Sequence, residues 1–173
     1  IELEEEQRKL YLAAVLDARE KLKAAKPEDK MAVFAVLMRL REICCDPHLI
    51  ADNWAGGSAK LDACTELVTS AVEGGHRILL FSQFTSMLDL LAKRLDETGI
   101  SHFTLQGSTP KPVRAELVRR FNGGEVSVFL ISLRAGGTGL NLTAADIVIH
   151  YDPWWNVAAQ NQATDRAYRI GQQ

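Results

Sequence analysis

Apolar positions along the chain change their spacing near residue 58. From Glu4 to Lys23 the sequence is rich in Glu, Lys, Leu and Ala, strong helix formers, and predicts a first helix. Pro27 and Asp29 break it. Val33, Val36, Leu37, Leu40 and Ile43 then recur at three- and four-residue steps, the mark of an amphipathic helix that Pro47 ends. Asn53 to Ser58, with Gly56 and Gly57, predicts a loop. The expected domain boundary lies there, with a helical lead-in over 1–57 and a second domain over 58–173.

Beyond that loop, helical and strand patterns alternate. Leu61, Cys64, Leu67, Val68, Ala71 and Val72 form a helical stripe closed by Gly74-Gly75, and RILLF (77–81) follows as a short apolar run. Phe84, Leu88, Leu91 and Leu95 predict the next helix, stopped by Gly99, before a strand over 102–105. Val113, Leu117 and Phe121 predict another, ending at Gly123-Gly124. VSVFLIS (126–132) and IVIHY (147–151) read as strands, and 157–169 returns to helix. Apolar strands separated by helices predict an α/β fold, a parallel sheet covered on both faces. Ligands of such sheets bind beyond the carboxyl ends of the strands. Four segments would gather there: Ser82–Thr85, Gln106–Thr109, Ser132–Asn141 and Asp152–Trp155.

Composition supports a folded chain and removes some functions. Of 173 residues, 47% are hydrophobic and 24% charged, with net charge −2, so a core can form and a nucleic-acid surface must be a local patch. No apolar run reaches the roughly 18 to 20 residues that cross a bilayer. The start, IELEEE, is acidic and lacks the regions of a signal peptide. Three cysteines, Cys44, Cys45 and Cys64, do not make a disulfide framework and suggest a reducing, intracellular setting. The Cys44-Cys45-Asp46-Pro47-His48 cluster lacks the spacing and further ligands of a zinc site. It reads better as two buried or half-buried thiols ending a helix, so no metal site is expected.

The candidate chemistry is partial. No Gly-Lys dipeptide occurs, so a phosphate-binding loop of the GxxxxGK[ST] kind is absent from the sequence. Asp96-Glu97 sits at a helix end rather than after a strand, so the lysine and the magnesium-holding acid of such an ATPase are both missing. Gly136, Gly137 and Gly139 follow a buried strand and suit either a tight turn or an anion nest. Trp154 and Trp155 suit either a core anchor or a stacking platform for nucleic acid. Arg166 and Arg169, three residues apart, share one helix face. They read either as solvated charges beside Asp165, or as charge-stabilising arginines offered to a nucleotide held by another domain.

Four stretches in order narrow these choices. ILLFSQFTSMLDLL (78–91), LQGSTPKPVRAELVRRFN (105–122), VFLISLRAGGTGLNLTAADIVIHYDPWWN (128–156) and QATDRAYRIGQ (162–172) closely resemble the second helicase lobe of the Swi/Snf family of DNA-dependent ATPases, within helicase superfamily two. LREICCDPHLI (40–50) resembles that family's helical segment between lobes. The resemblance implies a RecA-like three-layer lobe with a central, mainly parallel sheet, preceded by helices. It implies ATP with Mg2+ bound between two lobes and held mainly by the first, and double-stranded DNA tracked without unwinding. Its partners are then duplex DNA and the first lobe of the same parent chain, with no membrane. The chain is expected to be a fragment, inactive alone, that stops before the family's closing strand. DPWWN leans toward bacterial members, so the expected setting is a bacterial cytoplasm or a nucleus.

Residue by residue, the resemblance implies that Gln162, Arg166 and Arg169 are catalytic, with both arginines reaching the γ-phosphate. Gly136, Gly137, Gly139 and Asp165 would lie at the nucleotide. Ser82, Gln83, Thr85, Ser108, Ser132, Arg134, Thr138, Asn141 and Trp155 would lie along the DNA. Gln106 stands where the family more often has Asp, and Val157 where it more often has Pro. Two other readings are a non-catalytic RecA-like module that binds DNA or protein, and an RNA helicase lobe.

Overall fold

The structure is a computed structural model, and it describes residues 1–24, 29–136 and 140–153. The chain divides into two compact units, Ile1–Cys64 and Thr65–Gln173.

In the first unit, α1 (Glu5–Ala24) packs on α2 (Lys30–Cys45), followed by a 3-10 turn at Pro47–Leu49. Asp29 caps α2, accepting from Ala32 N at 3.0 Å. The end of α2 is built around Pro47. In a continuing helix the Ile43 carbonyl would accept from the amide of residue 47, but proline has none. Buried Gln7 of α1 takes that place, with Nε2 donating to Ile43 O at 2.8 Å. Ser58 Oγ donates to Cys45 O at 3.3 Å, and buried Asp46 accepts from His48 N at 2.8 Å. The thiols end this helix as expected, with Cys44 half-buried and Cys45 buried. The apolar stripe of α2 is only partly covered: Ile43 is buried, whereas Val33 and Leu37 are 43% and 41% exposed. Periodicity places residues on one face but does not set the width of what covers it. α3 (Ala59–Glu73) runs through the division between the units. It buries Leu61, Cys64 and Val68 but leaves Leu67 56% exposed.

The second unit carries β1 (Ile78–Ser82), α4 (Thr85–Glu97), β2 (His102–Leu105), α5 (Lys111–Asn122), β3 (Val128–Ser132), α6 (Leu133–Gly136) and β4 (Ile147–His150). The four strands described form one parallel sheet in the order β2-β3-β1-β4. The sequence explains the order. ILLFS and VFLIS are apolar throughout, and β1 and β3 hold the centre, buried at every residue. HFTL and IVIH lie at the edges and are half-buried except at Leu105, which is buried. Phe81, Leu105, Phe121, Phe129 and Ile131 form part of one core, with Phe121 and Phe129 ring centroids 5.2 Å apart. After α3, α4 and α5 the chain turns at Gly75, Gly99 and Gly124, with φ of 83°, 71° and 88°, the left-handed conformation that glycine adopts without strain.

One element departs from the sequence reading. Leu133–Gly136, expected as loop, forms the short α6. Ser132 Oγ accepts from Ala135 N at 3.3 Å and starts it. At the opposite, amino edge of the sheet, Asp146 joins β1 to β4. Its carboxylate accepts from Arg77 N at 2.8 Å and lies 2.7 Å from His76 Nδ1.

Candidate functional site

The carboxyl edge of the sheet brings together the four segments expected there, as far as they are described. β1 and β3 end in register at Ser82 and Ser132. Both serines are buried, at 0% and 2% exposure, and both spend their oxygens on the fold. Ser132 Oγ starts α6. Ser82 Oγ donates to Asp152 Oδ1 at 2.5 Å and accepts from Phe84 N at 3.1 Å. These two side chains are therefore bonded into the edge rather than standing on its outer surface.

The groups that do face solvent lie one step outward. Thr85, Ser108, Arg134 and Asn141 are exposed. Phe84 precedes α4 and supplies no side-chain cap, which leaves the opening amides of that helix, with the Thr85 hydroxyl beside them, without a side-chain acceptor from the cap position. Uncapped amides at a helix start favour anions such as phosphate. Gln83 is half-buried, and its Nε2 has no partner among the described residues. In the loop after β2, Gln106 N donates to Thr109 Oγ1 at 3.0 Å, and Gln106 Nε2 donates to Asp89 Oδ1 at 3.1 Å. The glutamine that departs from the family pattern is thus held by α4.

The sequence reading passed over Asp152 as a site residue. It is 1% exposed, and its carboxylate accepts from Ser82 Oγ and, at 3.1 and 3.3 Å, from Gln83 N. Beside it, the His150 ring stacks on Phe81 with centroids 5.4 Å apart and planes 18° apart. Burial pulls the His150 pKa below its ordinary value, against the opposing charge of Asp152. The sequence places Asp152 at the head of a segment expected at this edge, but no local pattern marks its carboxylate as the acceptor for Ser82 and Gln83.

Gly136 ends α6, and the chain is described again from Leu140. There Asn122, the last residue of α5, donates from Nδ2 to Asn141 O at 2.9 Å and accepts from Ala144 N at 3.3 Å. Asn122 thus ties the end of α5 to the chain at Asn141 and Ala144. Gly137, Thr138, Gly139, Trp155, Val157, Gln162, Asp165, Arg166 and Arg169 lie outside the described residues. Among the described residues no group of three or more His, Cys, Asp or Glu is placed to hold a metal ion. β1 is followed by Ser82-Gln83-Phe84-Thr85 rather than a phosphate-binding loop of the GxxxxGK[ST] kind.

The family model "Helicase conserved C-terminal domain" matches residues 59–171. A putative ATP-dependent helicase/translocase, YwqA, of Bacillus subtilis (strain 168) is 41% identical over 180 residues, covering 100% of this chain and 20% of that protein. The SWI/SNF-related matrix-associated actin-dependent regulator of chromatin subfamily A member 1 of Mus musculus is 37% identical over 179 residues, covering 96% of this chain and 17% of that protein. The chain thus spans only 17% to 20% of the length of these relatives. Among solved structures, the Sulfolobus solfataricus SWI2/SNF2 ATPase core in complex with dsDNA superposes with a TM-score of 0.84 at 30% identity, covering 99% of this chain and 37% of that one.

Proposed function

This chain belongs to the helicase conserved C-terminal domain family, in its SWI2/SNF2 branch, and from that premise we propose that it is the second lobe of an ATP-driven translocase on double-stranded DNA. The observation that carries the proposal is the carboxyl edge of the sheet: exposed hydroxyl, amide and guanidinium groups, an uncapped helix start, and no phosphate loop of its own. A surface of that kind suits a polyanion and a nucleotide whose main binding groups come from elsewhere. The structure of the Sulfolobus solfataricus relative in complex with dsDNA supports duplex DNA as the polyanion.

In this reading residues 1–57 lead in from a first lobe of the same parent protein, and residues 58–173 form the second. The first lobe holds most of the ATP and Mg2+. Arg166 and Arg169, positioned with Gln162, complete the site from this side, with Gly136, Gly137, Gly139 and Asp165 bordering the nucleotide. An arginine delivered across an interface stabilises charge on the transferring phosphoryl group and contributes roughly 10³ to 10⁵ in rate. Hydrolysis then depends on closure of the two lobes, and this lobe is inactive alone.

Gln83, Thr85, Ser108, Arg134, Thr138, Asn141 and Trp155 line the duplex, while Ser82 and Ser132 hold the loops that present them. Contacts of this kind reach the phosphate backbone and carry little sequence information, so binding is weakly sequence-specific and falls steeply with salt. No described helix is long and apolar enough to cross a membrane.

The test is ATP hydrolysis by the full-length parent protein with duplex DNA, single-stranded DNA and duplex RNA. Strong stimulation by duplex DNA is expected. Stimulation by RNA alone would replace this reading with an RNA helicase lobe. Duplex binding without any hydrolysis would leave a non-catalytic binding module.

A further inference from the structure

We infer that Asp152 is a positioning residue: it locks the Ser82–Thr85 segment to the end of β4, and so fixes the start of α4, where Thr85 is offered to the duplex. The inference rests on the second-lobe reading above for its functional consequence, and on geometry alone for the lock itself.

Asp152 is 1% exposed, so its oxygens face the protein and touch no ligand. A buried carboxylate is costly unless it is well hydrogen-bonded, and bonds to an ionised acceptor are about twice as strong as neutral ones. Here two donors come from one place, Ser82 Oγ and Gln83 N, 70 and 69 residues away in sequence. The bonds continue the sheet: Phe81 and His150 are the last register pair of β1 and β4, and Tyr151 N donates to Phe81 O at 2.9 Å. Asp152 is the next residue, and its side chain takes up the ladder where the backbone leaves it.

The effect is relayed outward. Ser82 has one hydroxyl hydrogen, which goes to Asp152, so the oxygen is left to accept from Phe84 N at 3.1 Å. That fixes the start of α4, where Thr85 is exposed. On the other side Pro153 is exposed, and Trp154 and Trp155 follow in sequence. Ser82 Oγ and Gln83 N both donate to Asp152, whose carboxylate offers two acceptor oxygens and no competing donor. Asparagine keeps the volume but removes the charge and replaces one acceptor oxygen with an NH2.

The experiment uses the full-length parent protein as wild type, Asp152→Asn and Ser82→Ala. Two quantities are read: duplex-stimulated ATP hydrolysis as a function of duplex concentration, and backbone amide exchange. For Asp152→Asn the half-saturating duplex concentration rises about tenfold, the loss of roughly one charged hydrogen bond. Turnover at saturating duplex falls by less than about threefold. Exchange over residues 82–86 accelerates about tenfold while β3 stays unchanged. Ser82→Ala, which leaves the Gln83 tie in place, shows the same split at smaller size and carries the test if Asp152→Asn does not fold. Unchanged half-saturation in a folded variant overturns the inference. So does equal acceleration of exchange through β3, which would make Asp152 a general stabiliser. A wild-type parent whose hydrolysis ignores duplex DNA refutes the second-lobe reading instead, and the exchange data then decide the lock by themselves.

Discussion

Asn122 offers a local test of how the chain running toward β4 is held. Its side chain makes two bonds to the returning chain, 2.9 Å to Asn141 O and 3.3 Å from Ala144 N. A neutral hydrogen bond contributes about 0.5 to 1.5 kcal/mol net, and the longer of these belongs at the weak end. Asn122 is half-buried, so water replaces part of what Asn122→Ala removes. The local loss is then about 1 to 2 kcal/mol, a factor of roughly 5 to 30 in the opening equilibrium. The loss stays local, because Leu142 and Ala145 on either side of Ala144 are buried in the core of the second unit. Amide exchange in the parent protein reads it: Ala144 should exchange roughly 5 to 30 times faster in Asn122→Ala, with Leu130 in β3 unchanged. Asn122→Asp separates the two bonds, since it keeps the acceptor for Ala144 N but loses the donor to Asn141 O. It should preserve most of the Ala144 protection. Unchanged Ala144 exchange in Asn122→Ala would refute the reasoning, and so would equal acceleration at Leu130.

Further outcomes follow from the same kind of accounting. Gln7→Ala leaves the Ile43 carbonyl facing a proline with no donor, and should lower the stability of the first unit by about 1 to 3 kcal/mol in urea unfolding. Burial opposes ionisation of Asp146, but the His76 ring and the Arg77 amide outweigh it and hold the carboxyl below its ordinary value. The stability this adds is present above the unfolded value near pH 4 and is lost as pH falls through the lower folded value. Asp146→Asn should therefore flatten the acid side of the stability profile. Gly124 has φ 88° with nothing within 4 Å of a built Cβ, so Gly124→Ala should cost about 1 kcal/mol from backbone strain alone, measured by thermal unfolding.

The strands were legible because the central ones are apolar at every residue and bounded by turn signals, as ILLFS and VFLIS are. Their positions at the sheet centre follow from the same property. Coverage was not legible: Val33, Leu37 and Leu67 lie on helical stripes yet remain exposed, because spacing fixes a face and only packing fixes how much of it is hidden. Ser82 and Ser132 looked like ligand-facing groups in a functional motif. Their burial depends on the register that pairs them, which no local pattern encodes. Asp152 was the least legible, since a single acid before a proline reads as a turn and its partners lie about seventy residues upstream. The family, by contrast, was written in the motifs themselves, and the matched domain spans residues 59–171.

The central claim is that this lobe completes an ATPase site with Arg166 and Arg169. The most direct measurement is duplex-stimulated ATP hydrolysis by the full-length parent protein carrying Arg166→Ala or Arg169→Ala, with duplex binding measured alongside. The account predicts a fall in turnover of at least about 10³-fold for each, with duplex affinity retained. Turnover equal to wild type in both variants would contradict it, and would leave the two arginines without a role at the phosphate.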